Sequence, residues 1–152
     1  MKSILSLFVV LIFASPVLAQ TEEEKTNLKT YQLWEEEVWG KGKLELVKQL
    51  VAPEYIRHEP TGDRVVIPEQ YAEEIRKYRK MMESNAFTNK RHAISAKGDL
   101  VWIRSSVKPT DSKAGNKGSI RAIQVYRFVN GRLAETWWLS SNDQGPWPDF
   151  DR

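Results

Sequence analysis

Histidine is the side chain whose ordinary pKa brings its charge change close to neutral pH, and this chain has two of them. His58 lies in YIRHEP, residues 55–60, between an apolar-aromatic pair and a Glu-Pro stop. An imidazole there has the right chemistry to remove a proton beside a carbonyl, a task for a base with a pKa near working pH. Tyr55 and His58 are three positions apart, so a strictly extended strand points them to opposite faces. They share one side only if the chain bends between them, and the Glu59-Pro60 turn favours a bend. The plainer alternative is a half-exposed turn residue bonded to the backbone. His92 follows Lys90-Arg91 and reads as solvated. Asp143 is a reserve carboxylate with nothing to support it. Farther along, Ala122, Gln124, Tyr126 and Phe128 share one strand face by period two, and Ile123 and Val125 share the other. The Gln124 amide can donate a hydrogen bond to a carbonyl oxygen but cannot shuttle a proton. Gln124 and Tyr126 read equally well as a buried, mutually satisfied pair. Two histidines without paired carboxylates nearby argue against a metal site, and no motif calls for a cofactor.

Such groups need a scaffold, and the bulk numbers limit it. A chain of 152 residues supports one domain. Lys2, the apolar run Ile4 to Phe13 and Val17-Leu18-Ala19 read as a secretory signal peptide over residues 1–19, with the domain in 20–152. The run is shorter than the ~20 residues that span a bilayer. The expectation is a secreted or periplasmic protein with no membrane attachment after cleavage. With no cysteine, thiolate zinc sites and thiol nucleophiles are excluded, and the core alone must hold the fold. The net charge of +3, one unit of which is Lys2 in the leader, is too even for nucleic acid. Six tryptophans point to a bulky core, an aromatic-lined cavity, or both.

Residues 21–39 read as a helix with an acidic first turn and Leu28, Tyr31, Trp34 or Glu35, Val38 and Trp39 along one face. Gly40 and Gly42 end it. A short helix spans Leu44 to Val51, and Tyr55 to His58 is a brief extended piece before a turn at 59–63. A third helix opens at Pro68 with Tyr71, Ile75, Tyr78 and Met82 as its stripe. Residues 91–96, 100–108, 119–128 and 132–140 then read as strands, broken at Lys97-Gly98-Asp99, at 109–118 and at Asn130-Gly131. The fold class is α+β, with helices on one face of an antiparallel sheet. The facing of the last strand stays open. A two-residue turn puts Phe128 opposite Leu133 with Glu135 and Trp137 inward; a bulge at Gly131 turns Ala134, Thr136, Trp138 and Ser140 inward.

Two stretches carry a family resemblance. EEEVWGKGKLELVKQLVAPEYIRHEP, residues 35–60, and QVYRFVNGRLAETWWLSS, residues 124–141, resemble the opening and the last hairpin of the SnoaL-like branch of the nuclear transport factor 2-like superfamily. The resemblance implies a cone: a curved antiparallel sheet wrapped round three N-terminal helices, with a pocket at the open end and dimers through the outer sheet face. It favours the bulged turn, because the family's polar working groups match Thr136 and Trp138. The residues expected to line that pocket are Trp39, Tyr55, Tyr78, Gln124, Tyr126 and Trp138, and His58, by its own chemistry, is the expected proton-transfer group. Trp39, Tyr78 and Trp102 are otherwise read as core, as residues at such spacing usually are. Desolvation in such a pocket would lower the histidine pKa below about 6.5.

The sequence departs from the family's enzymes in one respect. SnoaL-like polyketide cyclases carry an acid/base carboxylate on the last strand, often in a His-Trp-Asp run; here the run is Thr136-Trp137-Trp138. Gln124 occupies the position where ketosteroid isomerase relatives place a protonated Asp. Three functions remain. The first is a binder of a small, largely apolar molecule that isomerises, cyclises or hydrates it. The second is a non-catalytic ligand-binding module. The third is a protein-interaction module working through an apolar outer face that carries Ile123 and Val125, with a homodimer as the expected assembly.

Overall fold

A computed structural model describes residues 19–85, 87–109 and 120–141. Residues 1–18 of the expected leader, most of the 109–118 loop, Asp143 and the 145–148 tail lie outside the described residues, as does the Met82 side chain.

Helix α1 spans Glu22–Leu33. Thr21 caps it: its hydroxyl accepts from Glu24 N–H at 3.1 Å, and the Glu24 carboxylate accepts from Thr21 N–H at 3.0 Å. The second Glu24 oxygen accepts from Gly98 N–H at 2.9 Å, so the cap also ties α1 to a distant turn. Where one helix was expected to run to residue 39, the winding changes. Trp34–Gly40 is a seven-residue π-helix, a rare form that recurs at functional sites. Arg79 closes its end, donating to the carbonyls of Trp39 and Gly40. Gly42 follows with φ +75°, and a Cβ there would stand 3.0 Å from the Arg79 guanidinium. A 3-10 turn, Leu44–Leu46, and the four-residue α2, Val47–Leu50, replace the expected second helix. Helix α3 spans Pro68–Asn85.

Six strands follow or flank the helices: β1 Val51–Glu59, β2 Gly62–Val66, β3 Phe87–Lys97, β4 Leu100–Pro109, β5 Ile120–Val129 and β6 Arg132–Ser141. They form one curved, unclosed sheet in the order β2-β1-β6-β5-β4-β3. The α+β class holds, with two strands more than the sequence suggested. The brief extended piece around Tyr55 is a full strand, hairpinned to β2. The sheet is mixed, because β1 runs parallel to β6. Every other pairing is antiparallel.

Three rows cross the helix-side face in register. They are Arg91, Ser105, Ala122 and Ser140; Ile94, Ile103, Gln124 and Trp138; and Ala96, Val101, Tyr126 and Thr136. The helices pack on the third row. Tyr31, Trp34, Val38, Tyr55, Tyr71, Ile75, Val101, Ile103 and Tyr126 are all buried. Aromatic contacts run through that core: Trp34 stacks on Tyr71 at 5.5 Å, while Tyr71 meets Tyr55 at 4.9 Å and Tyr31 meets Tyr126 at 5.0 Å with their rings tilted.

The parity of β6 combines both expected alternatives. Asn130 and Gly131 have φ 51° and 71°, the signs of a two-residue type I′ turn, and Phe128 does face Leu133. The extra residue comes later. The register shifts after Phe128–Leu133, so that Arg127 pairs with Glu135 and Ala134 is the bulged residue. Thr136 and Trp138 therefore share the helix-side face with Tyr126 and Gln124, while Glu135, Trp137 and Leu139 lie on the outer face.

Candidate functional site

Alternation along β1 from Tyr55 to Glu59, where the pairing with β2 is uninterrupted, settles the facing of these side chains. Tyr55 is fully buried on the helix side and bonds the Thr136 hydroxyl. Arg57, on the same side, lies 4.9 Å over the Tyr71 ring and pairs with Glu74 of α3 at 3.2 Å. Ile56 and His58 point the other way. The bend expected between Tyr55 and His58 is not there: the hairpin to β2 keeps β1 extended through Glu59. His58 therefore stands on the outer face, apart from Tyr55, Gln124 and Tyr126. Its imidazole stacks on Trp137 at 4.6 Å and 7°. Its nitrogens meet Asp63 at 2.9 Å and Glu135 at 3.1 Å. The expected fall in its pKa is also reversed. Desolvation does act to lower it, but the bonds to Glu135 and Asp63 outweigh that, and the pKa is raised. Burial likewise opposes charge on Glu135, yet Arg127 and His58 hold that carboxyl below its usual range. His58 belongs to an ion-pair cluster that fastens β2, β1, β6 and β5 together.

The other expected pocket residues divide. Tyr126 is buried on the helix side and donates to the Gln124 side-chain oxygen. That bond fixes the amide and leaves its NH2 as a donor. Trp138 lies beside Gln124 in register and is 37% exposed. Trp39 packs against the edge of the core, 6.3 Å from Trp34 and nearly perpendicular to it. Tyr78 departs from its stripe. It is 45% exposed and lines a shallow depression of about 300 Å³ with Arg64, Glu74 and Lys77. The α3 stripe is buried at Tyr71 and Ile75 and leaves the core by Tyr78. Trp102, read as core, lies 44% exposed on the outer face beside Val125. His92, read as solvated, is the extra residue in a β3 bulge and bonds the buried Ser106 hydroxyl.

One pair of residues, Glu35 and Arg91, has no role in the sequence reading. Glu35, in the π-helix, bonds Arg91 of β3 and lies 3.4 Å from the Tyr31 hydroxyl. Both members of the pair are partly exposed, 26% for Glu35 and 30% for Arg91. Arg91, Glu35 and Tyr31 form one polar chain and Tyr126 and Gln124 another, and the two meet at the Tyr31–Tyr126 ring contact. Burial holds the Tyr31, Tyr55, Tyr71 and Tyr126 phenols above their usual pKa, with Glu35 adding to the effect at Tyr31 and Tyr126. All four remain neutral and able to donate hydrogen bonds at physiological pH. Glu35 had a signal of a kind, since it is one helical turn from Tyr31. It entered the helix reading only as the alternative to Trp34 on the apolar face, and the run Glu35-Glu36-Glu37 offers no local partner for its charge. Among the described residues, no three metal-ligating side chains come together, and no helix is long and apolar enough to cross a membrane.

Comparison with known proteins bears on this geometry. The SnoaL-like domain description matches residues 32–136. Among solved structures, IdmH of Streptomyces antibioticus, described as a polyketide cyclase candidate, superposes with a TM-score of 0.56 at 20% identity. It covers 76% of this chain and 92% of its own. A ketosteroid isomerase candidate from Kribbella flavida gives 0.63 at 10% identity over 83% and 85%. A LEH-like epoxide hydrolase of M. tuberculosis gives 0.56 at 14% over 78% and 85%. These likenesses establish a shared fold. No curated protein sequence matches the chain significantly.

Proposed function

Since the chain belongs to the SnoaL-like domain family, we propose that it binds a small, largely apolar molecule on the helix-side face of β5 and β6. The observation that carries this reading is the pairing of Gln124 with Trp138. A large indole stands 37% exposed beside a partly exposed amide on the face that elsewhere forms the core. Pockets for small molecules combine such apolar area with a few placed polar groups. The indole offers a stacking surface. The Gln124 NH2, oriented by Tyr126, offers a hydrogen bond to a ligand oxygen. A planar apolar ligand bearing a carbonyl or hydroxyl suits both. The structural neighbours described as a polyketide cyclase, a ketosteroid isomerase and an epoxide hydrolase add weight to a small-molecule role. The leader-like residues 1–19 add export to this reading, to the periplasm or the medium.

Native mass spectrometry of the purified protein, followed by organic extraction, tests the binding reading. A copurifying apolar molecule is expected, and Trp138→Ala should lose it while Tyr78→Ala keeps it. Retention by Trp138→Ala, or loss only in Tyr78→Ala, would move the site elsewhere. A second reading, interaction with a protein or with a second copy of the chain, rests on a different observation. Trp102, Ile123 and Leu139 expose an apolar patch on the outer face, at 44%, 39% and 70%.

A further inference from the structure

The charges that fasten β2, β1, β6 and β5 together also border the apolar patch of the outer face. Trp102, Val125, Trp137 and His58 follow one another in register on β4, β5, β6 and β1. The His58 ring lies nearly parallel to the Trp137 indole at 4.6 Å. A surface that covers Trp137 therefore comes up against the charges around the imidazole. We propose that the meeting of two copies on this face is proton-linked: charged His58 permits it and neutral His58 opposes it. This inference rests on the reading of the outer face as a contact with a second copy, and adds its regulation.

Four ionisable groups from four strands meet at the cluster. Asp63 of β2 lies 2.9 Å from one imidazole nitrogen of His58, and Glu135 of β6 lies 3.1 Å from the other. Arg127 of β5 donates to the second Glu135 oxygen. A charged imidazole has two N–H groups, one for each carboxylate. The neutral ring has one, and turns a lone pair toward the remaining acid. With His58 charged, two cations meet two anions and the cluster is balanced. With His58 neutral, one negative charge is in excess. In a single chain the Asp63 side chain is 67% exposed, so water screens that excess. A contact over the patch removes the water. Covering a balanced, hydrogen-bonded cluster is far less costly than covering an unpaired charge.

A second copy suits this face. The described helices pack against the opposite one, and a sheet face with exposed apolar side chains is ordinarily covered by another layer. Trp102, Ile123 and Leu139 are such side chains. A two-fold contact is self-complementary, so it covers the cluster of each copy alike and involves two protons. The two acids already hold the His58 pKa above its usual value, against the lowering effect of desolvation. Because cover penalises the excess negative charge, it raises that pKa further. Below the His58 midpoint of the single chain both states are charged and pH has no effect. Above it, each copy must take up a proton to assemble, and the contact weakens as pH rises.

Sedimentation of the purified chain from about pH 6 to about pH 9 spans the change, since histidine ordinarily titrates near 6.5. The dimer Kd should be lowest at the acidic end and rise by up to about 100-fold per pH unit, because two protons are released per dimer. The midpoint of the His58 resonance should climb as protein concentration is raised through Kd. His58→Gln should hold Kd near the alkaline wild-type value at every pH. Asp63→Asn, at an exposed position, should remove most of the rise by removing the excess acid. Circular dichroism at both ends of the range checks that each variant is folded, and Asp63→Asn decides the matter if His58→Gln is not. A wild-type Kd that is flat or falls with rising pH, or an undiminished rise in Asp63→Asn, overturns the linkage and leaves the dimer standing. A wild type that stays monomeric at every pH overturns the contact and the linkage with it.

Discussion

At the scale of single residues, His58 has the most to teach. Imidazole chemistry and position in YIRHEP suggested a pocket base. The fold instead places it on the outer face between Asp63 and Glu135, against Trp137. The reason is the partner strand. The turn read at 59–63 includes Gly62 and Asp63, and no element is read at 64–66, yet the pairing of Gly62–Val66 with β1 holds the chain extended, and extension sends Tyr55 and His58 to opposite sides. The titration has a definite sign. A histidine whose pKa is raised by folding adds stability below its unfolded pKa of about 6.5, and that stability is lost as pH rises through the folded value. Resonances of His58 should titrate above the reference histidine. Glu135→Gln should bring the midpoint down and flatten stability between mildly acidic and mildly alkaline pH. A midpoint below 6.5 in the wild type would contradict the cluster. Glu35 shows the opposite difficulty. Helical spacing offers it only as the alternative to Trp34, and nothing local shows its partner, because Arg91 reaches it from 56 residues away.

Among the elements, the legible parts were those with local causes. The acidic first turn announced α1, the Asn130-Gly131 pair announced the last hairpin, and the stripe through Tyr71 and Ile75 gave the buried face of α3. The bulge at Ala134 and the π-helix at Trp34–Gly40 were not legible. Both arise from fitting one element to distant ones. The Thr21 cap lends itself to measurement. Its capping box with Glu24 satisfies two amides, and Glu24 goes on to bind Gly98 in the β3–β4 turn. The Glu24 carboxyl is held below its usual range, first by Gly98 N–H and then by Thr21 N–H. Thr21→Ala should cost about 1 kcal/mol in urea unfolding. Its hydrogen-exchange signature should extend to the amide of Gly98. A loss of protection confined to α1 would mean that the cap and the turn are uncoupled.

For the whole molecule, the outer face is the open question. Trp102, Val125, Trp137 and His58 form one row across four strands, and Ile123 and Leu139 lie in the next. A second copy laid on this face would cover the patch. Purified from exported material, the chain should begin near Gln20 and sediment as a dimer at micromolar concentration. Val125→Lys should give monomers of unchanged circular dichroism, since a buried unpaired charge is strongly disfavoured. A wild-type monomer, or a Lys variant that still dimerises, would leave the patch to another partner.

The parallel pairing of β1 with β6 has a kinetic consequence. The β1–β2 hairpin has β6 as its neighbour in the sheet, and Tyr55 meets Thr136 across 81 residues of chain. A two-stranded hairpin alone is marginal in water, and closing so long a loop slows folding. While the chain is being made, its central sheet position stays vacant until the last strand has emerged. The growing polypeptide thus has no complete sheet to lock into. A chain that must be threaded unfolded through a narrow channel would benefit from that delay, and it would become compact only after its final strand had passed.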